Sequence, residues 1–179
     1  MDRPEARLVE SVNELLDGIL LVHSNNLNIP ALILLYAGID FAASLDRHDP
    51  DSNVTRDDFL SWVEKYLLPG NDLRCSALDL YSARCGWVHT YTSKSRMVRS
   101  GEAKEIFYQF GEHDNEEQLQ KSIKNPSVAV AVHFTKLFNA FRDGLDRWER
   151  DFLGNPKHLA KVTHNSEKLL YRVHSEDEQ

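Results

Sequence analysis

Arg84 and His89, with four residues between them in the run Arg84-Cys85-Gly86-Trp87-Val88-His89, pair a cation that never deprotonates with the side chain that titrates near neutrality. Charge stabilisation and proton transfer are what acid/base chemistry on a phosphodiester needs. Thr90, Tyr91 and Thr92 follow directly, with hydroxyls that can bond phosphate or ribose or serve the turn itself. Beyond them Lys94, Arg96 and Arg99 can act as point charges on an RNA backbone, or form an ordinary solvated face.

The spacing from Arg84 to His89 is i to i+5, which on a regular helix separates them by about 140° around the axis. Two devices can still bring them together: Gly86 can loosen the turn between them, or the long Arg84 side chain can swing toward His89. Two copies of the chain can also each supply part of one cleft. Spacing alone favours the plainer reading that Arg84 and His89 form the positive end of a helix, capping its last carbonyls.

Asp40 stands in the apolar run Ala37-Gly38-Ile39-Asp40-Phe41, where a buried carboxylate demands a partner. If that partner is Arg84 or His89, Asp40 supports the site by orienting it; otherwise it is a structural ion pair. The other seven histidines show no His-x3-His or His-Glu-x2-His spacing, so no metal and no cofactor is expected. His133 reads as a core or interface histidine. Phosphate-loop, dinucleotide and nucleophile-elbow motifs are all missing, which removes those enzyme classes.

The 179 residues suit one domain, and 41% hydrophobic content is enough for an ordinary core. A formal charge of -7 argues against a surface that is basic throughout, so any RNA contact must be local. It has a place: between Arg74 and Lys104 six cations face two anions, a local charge of +4. Cys75 and Cys85 form neither a zinc knuckle nor a disulfide framework and read as reduced thiols. With no leader and no stretch of about 18 uncharged apolar residues, the expectation is a soluble cytoplasmic protein with no membrane contact.

The elements that must position these residues are helices. Apolar periodicity predicts a first helix from Pro4 to Leu21, and Pro30 opens a second, apolar on several faces and central to the core. Thr55 and Asp58 make a capping box for a third, with Val54 and Phe59 as its staple, and Pro69-Gly70 stops it. A fourth helix, capped by Asn71 or Asp72, runs toward His89 and carries the motif at its end. The run 106–111 is extended, and 112–124 is a polar loop or short helix. Asn125-Pro126 starts a long helix carrying Val128, Val132, Leu137, Phe138, Phe141, Leu145, Trp148 and Phe152. A last short helix spans His158 to Tyr171, and the acidic tail 175–179 is disordered. The result is an all-α, up-and-down bundle of about five or six helices forming a single domain over residues 1–174.

Arg-x4-His near the end of a helix, in an all-α chain of this length, resembles the HEPN superfamily (higher eukaryotes and prokaryotes nucleotide-binding domain). The wider context Leu80 to Thr92, with Ser95-Arg96 and Arg99-Ser100-Gly101, is similar to an uncharacterised bacterial group of such domains, over about a fifth of the chain. The resemblance implies metal-independent endoribonuclease activity by 2'-hydroxyl attack, with Arg84 and His89 catalytic. Thr90, Tyr91, Lys94, Arg96 and Arg99 would contact RNA or phosphate, and a homodimer would bring two copies of His89 into one groove. It further implies a toxin or defence role with an antitoxin protein as a partner. Cys85 departs from the pattern, since family members that cleave RNA usually carry Asn, Asp or His directly after the Arg. The alternative is a non-catalytic module of the same fold that binds a nucleotide, an RNA or a protein.

Overall fold

The most apolar segment of the chain becomes its central helix. α2 (Asn28–Asp46) buries Leu32, Leu35, Tyr36, Ile39, Ala42 and Leu45 on more than one face, and α1 (Pro4–Ser24) packs along it. The structure, a computed structural model, describes residues 4–49, 52–111, 113 and 115–167. Gly38 lets α2 approach its neighbours, since a Cβ there would stand 2.9 Å from both Leu15 and Phe141. α2 is long and apolar enough to cross a bilayer by length and composition alone, but half of that stretch is buried among the other helices.

α3 (Arg56–Trp62) begins at the expected capping box. The Thr55 side chain accepts from the Asp58 N–H at 3.3 Å, and Asp58 Oδ2 accepts from the Thr55 N–H at 2.8 Å. The helix widens into a π turn over Val63–Leu67, burying Val63, Tyr66 and Leu67. Asn71 does not cap the next helix: its amide donates to the Leu67 carbonyl at 2.8 Å and finishes this one.

α4 (Ala77–Thr90) is capped by Ser76, four or five residues later than a cap at Asp72 or Asn71 would have it. Ser76 and Asp79 form a reciprocal capping box, and the other oxygen of the buried Asp79 accepts from the Lys104 N–H at 2.6 Å. The start of α4 is thereby tied to the beginning of the sheet. α5 (Arg96–Ser100), capped by Ser95, follows on a short loop.

The extended run is a strand, β1 (Glu105–Gln109), pairing in parallel with β2 (Ala129–His133) in the register Ile106↔Val130 and Tyr108↔Val132. The helix expected from Asn125-Pro126 therefore begins only at α7 (Phe134–Leu153). Val128 and Val132 match helical spacing with later residues, but with Val130 between them a β-branched residue stands at every second position, which fits a pleated strand better. All five residues of β2 are buried. α6 (Glu116–Ser122) links the strands and satisfies β2 from the side: Gln120 Oε1 accepts from the Ala131 N–H and Glu116 Oε2 from the His133 N–H, each at 2.9 Å.

α8 (Pro156–Ser166) is capped by Asn155, two residues ahead of the expected start, and the expected end at Tyr171 lies outside the described residues, as does the tail 175–179. Asp46 Oδ1, at the end of α2, accepts from Trp148 Nε1 of α7 and Lys161 of α8, each at 3.2 Å, and bonds His158. The fold is mostly helical: eight α-helices among the described residues, several of them short, and one small two-stranded sheet.

Candidate functional site

Arg84 and His89 are brought together. Arg84 Nη1 lies 3.2 Å from His89 Nε2, and Arg84 Nε donates to Asp40 Oδ2 at 2.6 Å. α4 stays helical through Thr90, so the reach of the arginine closes the 140° gap and Gly86 does not loosen the turn. A guanidinium can only donate, so the bond to His89 requires Nε2 to accept, placing the proton of the neutral ring on Nδ1. Nε2, the atom beside the cation, then carries the lone pair of the ring.

Asp40 and Arg84 are half-buried, with side chains 25% and 23% exposed. Burial outweighs the guanidinium at Asp40, so its carboxyl titrates above the ordinary carboxylate range. At Arg84 burial is opposed and overcome by the hydrogen bond and charge of Asp40, which keep the guanidinium charged. The Tyr81 hydroxyl, one turn earlier, is also pushed up, first by burial and then by the neighbouring Cys85.

Past the pair the chain folds back on α4. Tyr91 takes the left-handed conformation with φ 54°, and its N–H bonds the Gly86 carbonyl, which also accepts from Thr90 Oγ1 at 2.9 Å. A Cβ at Gly86 would stand 2.2 Å from the Thr92 carbonyl oxygen, so glycine is needed for this close approach. The buried hydroxyls of Ser82 and Ser95 bond each other at 2.6 Å and hold the returning loop.

The other predicted residues lie on this return, and no hydrogen bond or ion pair links them to Arg84 or His89. Thr90 spends its hydroxyl on the helix end, while Tyr91 is exposed. Lys94 and Arg96 are exposed at the start of α5, and Arg99 folds back to donate to the Lys94 carbonyl at 2.7 Å. The basic island is smaller than its sequence count, because Arg74 faces Glu116 and Glu117.

A cleft of about 400 Å³ opens beside Arg84, lined among others by Asp40, Ser44, Thr55, Arg56 and Tyr81. Arg56 is the residue that motif reasoning missed. Its guanidinium lies 5.8 Å from the Tyr81 ring centroid, so a second cation borders the cleft that Arg84 enters, from 28 positions away in the chain. Among the described residues no cluster of three His, Cys, Asp or Glu could hold a metal ion. Comparison with models of known families, with curated proteins and with solved structures gives no match.

Proposed function

We propose that the protein is a HEPN-like endoribonuclease working without a metal, its site centred on Arg84 and His89. The observation that carries this reading is the single guanidinium bonded at once to the Asp40 carboxylate and to His89 Nε2. Asp40 fixes the fork of Arg84, leaving Nη1 beside the nitrogen that would take a proton.

In this reading His89 Nε2 removes the proton of a ribose 2'-hydroxyl, whose oxygen attacks the adjacent phosphorus. The P–O5' bond breaks, the leaving 5' oxygen takes a proton, and a 2',3'-cyclic phosphate remains. Arg84 offsets the charge that builds on the non-bridging oxygens, and Arg56 borders the path of the strand. One His89 cannot be base and acid together, so a two-fold dimer contributes the second copy. Lys94, Arg96 and Tyr91 would guide RNA from the loop, in a cytoplasmic protein held in check by an antitoxin partner.

The test incubates mixed RNA with wild type and His89→Ala in a chelator and assays cyclic phosphate ends. Cleavage by the wild type alone supports the reading; equal cleavage by both removes it. A wild type that is monomeric at active concentrations would exclude the shared groove. Cys85 favours a second reading, a module that binds RNA without cutting it. Retained RNA binding with no cleavage by the wild type would select that one.

A further inference from the structure

The cleft beside Arg84 is built from three separate helices. Asp40 and Ser44, one turn apart on α2, share the face that lines it. Val54 and Arg56 come from the entry to α3, and Tyr81 and Arg84, three residues apart, from α4. Its volume of about 400 Å³ falls within the range of about 300–1,000 Å³ typical of sites for small organic ligands. Val54 is 45% exposed, so the lining joins an apolar side chain to polar ones at the surface.

Two of these side chains offer flat faces. The Arg56 guanidinium lies over the Tyr81 ring, 5.8 Å from its centroid, and this exposed arginine makes no hydrogen bond or ion pair among the described residues. Direct packing would bring carbons to about 3.5–4.0 Å, so the two planes are not in contact. A base between them needs two stacking distances of about 3.4 Å, roughly an ångström more than is present, and an unpaired arginine can move that far. The buried Phe59 meets the Tyr81 ring edge-on at 5.4 Å and holds it in place. Two other polar groups of the cleft are acceptors. Arg84 Nε occupies Asp40 Oδ2 and leaves Oδ1, while Ser44 Oγ donates to the Phe41 carbonyl at 2.7 Å and keeps its lone pairs for a ligand. Guanine presents N1–H and an N2 amino group side by side on its Watson–Crick edge. Adenine and cytosine would turn a ring-nitrogen lone pair toward the carboxylate, and uracil has one N–H between two carbonyl oxygens.

We propose that the cleft is a guanine subsite, in which the base of the nucleotide adjoining the scissile phosphate stacks between Arg56 and Tyr81 and donates to Asp40 Oδ1 and Ser44 Oγ. The place of this base beside the scissile bond rests on the RNA-cleaving reading of Arg84 and His89; its identity rests on the cleft alone. Arg84 joins the two, with Nε on Asp40 and Nη1 beside His89, so a base seated against Asp40 brings its own phosphate toward His89. Arg56 and Tyr81 bind the base and take no part in bond breaking.

Two measurements on the full chain separate the subsite from the nuclease. In calorimetric titrations guanosine 3'-monophosphate should bind about tenfold to a hundredfold more tightly than adenosine 3'-monophosphate, with the inosine nucleotide, which lacks the N2 amino group, between them. Arg56→Ala changes an exposed side chain and leaves the fold intact, and it should weaken the guanine nucleotide by about tenfold. Tyr81→Leu should do the same, whereas Tyr81→Phe keeps the ring and should bind like wild type. Sequencing the cyclic-phosphate ends that wild type releases from mixed RNA should place guanine on one fixed side of most cuts. Arg56→Ala should flatten that preference and raise KM more than it lowers kcat. Equal binding of the guanine and adenine nucleotides, unchanged binding by both Arg56→Ala and Tyr81→Leu, or cuts indifferent to the neighbouring base would overturn the subsite and leave the nuclease reading standing. Guanine-selective binding by a protein that cuts no RNA would support the ligand of the cleft and remove the nuclease reading.

Discussion

Arg84 Nη1 stands 3.2 Å from His89 Nε2 although the two residues point 140° apart on their helix, and Asp40, on a different helix, anchors the guanidinium that bridges them. The arrangement depends on a planar fork that bonds in two directions. Lysine has the charge but cannot bond Asp40 and His89 with fixed geometry. Arg84→Lys should therefore lower the rate of RNA cleavage by about a hundredfold or more, with a shift of only a few degrees in melting temperature. Single-turnover cleavage and thermal unfolding, measured side by side, check it; a rate within a factor of a few of wild type would show that the bridge is not used.

Asp40 gives a pH dependence whose sign follows from its environment. Burial raises its folded value above the unfolded one, so the folded state holds the proton more tightly. The stability this contributes is complete below the ordinary carboxylate range and is lost as pH rises through the raised folded value. Asp40→Asn has no such loss. Denaturant unfolding from about pH 3 to about pH 7 should show any advantage of wild type over Asp40→Asn shrinking as pH rises. An advantage that grows over the same range would mean that Arg84 outweighs burial.

Gly86 is a sharper structural test, because the atom in the way belongs to the backbone. A methyl group at this position would meet the Thr92 carbonyl oxygen at 2.2 Å, and only displacement of the returning loop removes the clash. Gly86→Ala should destabilise the fold by roughly 1–3 kcal/mol in chemical denaturation. It should also change the amide NMR shifts of Tyr91 to Ser95, the residues that lie over this face. Unchanged shifts with unchanged stability would show that the loop does not rest there.

The two thiols should separate cleanly. Burial, reinforced by the charge of Asp79, pushes the Cys75 thiol up to about 12, and its side chain is covered. Cys85 is partly exposed on α4. At about pH 8 a thiol reagent should label one cysteine per native chain, mapped to Cys85 by mass spectrometry, and both after denaturation. Labelling of Cys75 at the rate of Cys85 in the native state would place it outside the core.

What was legible in the sequence were the features that act locally. The Thr55 capping box, the apolar run after Pro30 and the placement of Arg84 and His89 on the last turns of one helix all follow from neighbours in sequence. Ser76-x-x-Asp79 carried the same kind of signal, but Asn71 and Asp72 competed for it as earlier cap residues. The segment of β2 reads as helix because Val128 and Val132 fit a four-residue spacing, whereas its strand state depends on pairing with β1, more than twenty residues away. The partner of Asp40 was open for the same reason: 44 positions separate it from Arg84. Arg56 at the cleft and its place over the Tyr81 ring become visible only after distant elements meet.

Asp79 joins that local signal to the distant contacts, and its replacement should cost more than that of its capping partner. Ser76→Ala removes one side-chain acceptor at the start of α4, a loss of about 1 kcal/mol. Asp79→Ala removes the reciprocal bond to the Ser76 N–H and also leaves the Lys104 N–H, at the beginning of the strand region, without its acceptor at 2.6 Å. A part-buried backbone donor stripped of a charged acceptor should raise the cost to roughly 2–3 kcal/mol. Amide exchange distinguishes the two variants beyond the size of the effect. Ser76→Ala should expose only the first turn of α4, whereas Asp79→Ala should also speed exchange at the start of β1, because the Asp79 bond to the Lys104 N–H ties the beginning of that helix to the residue before the strand.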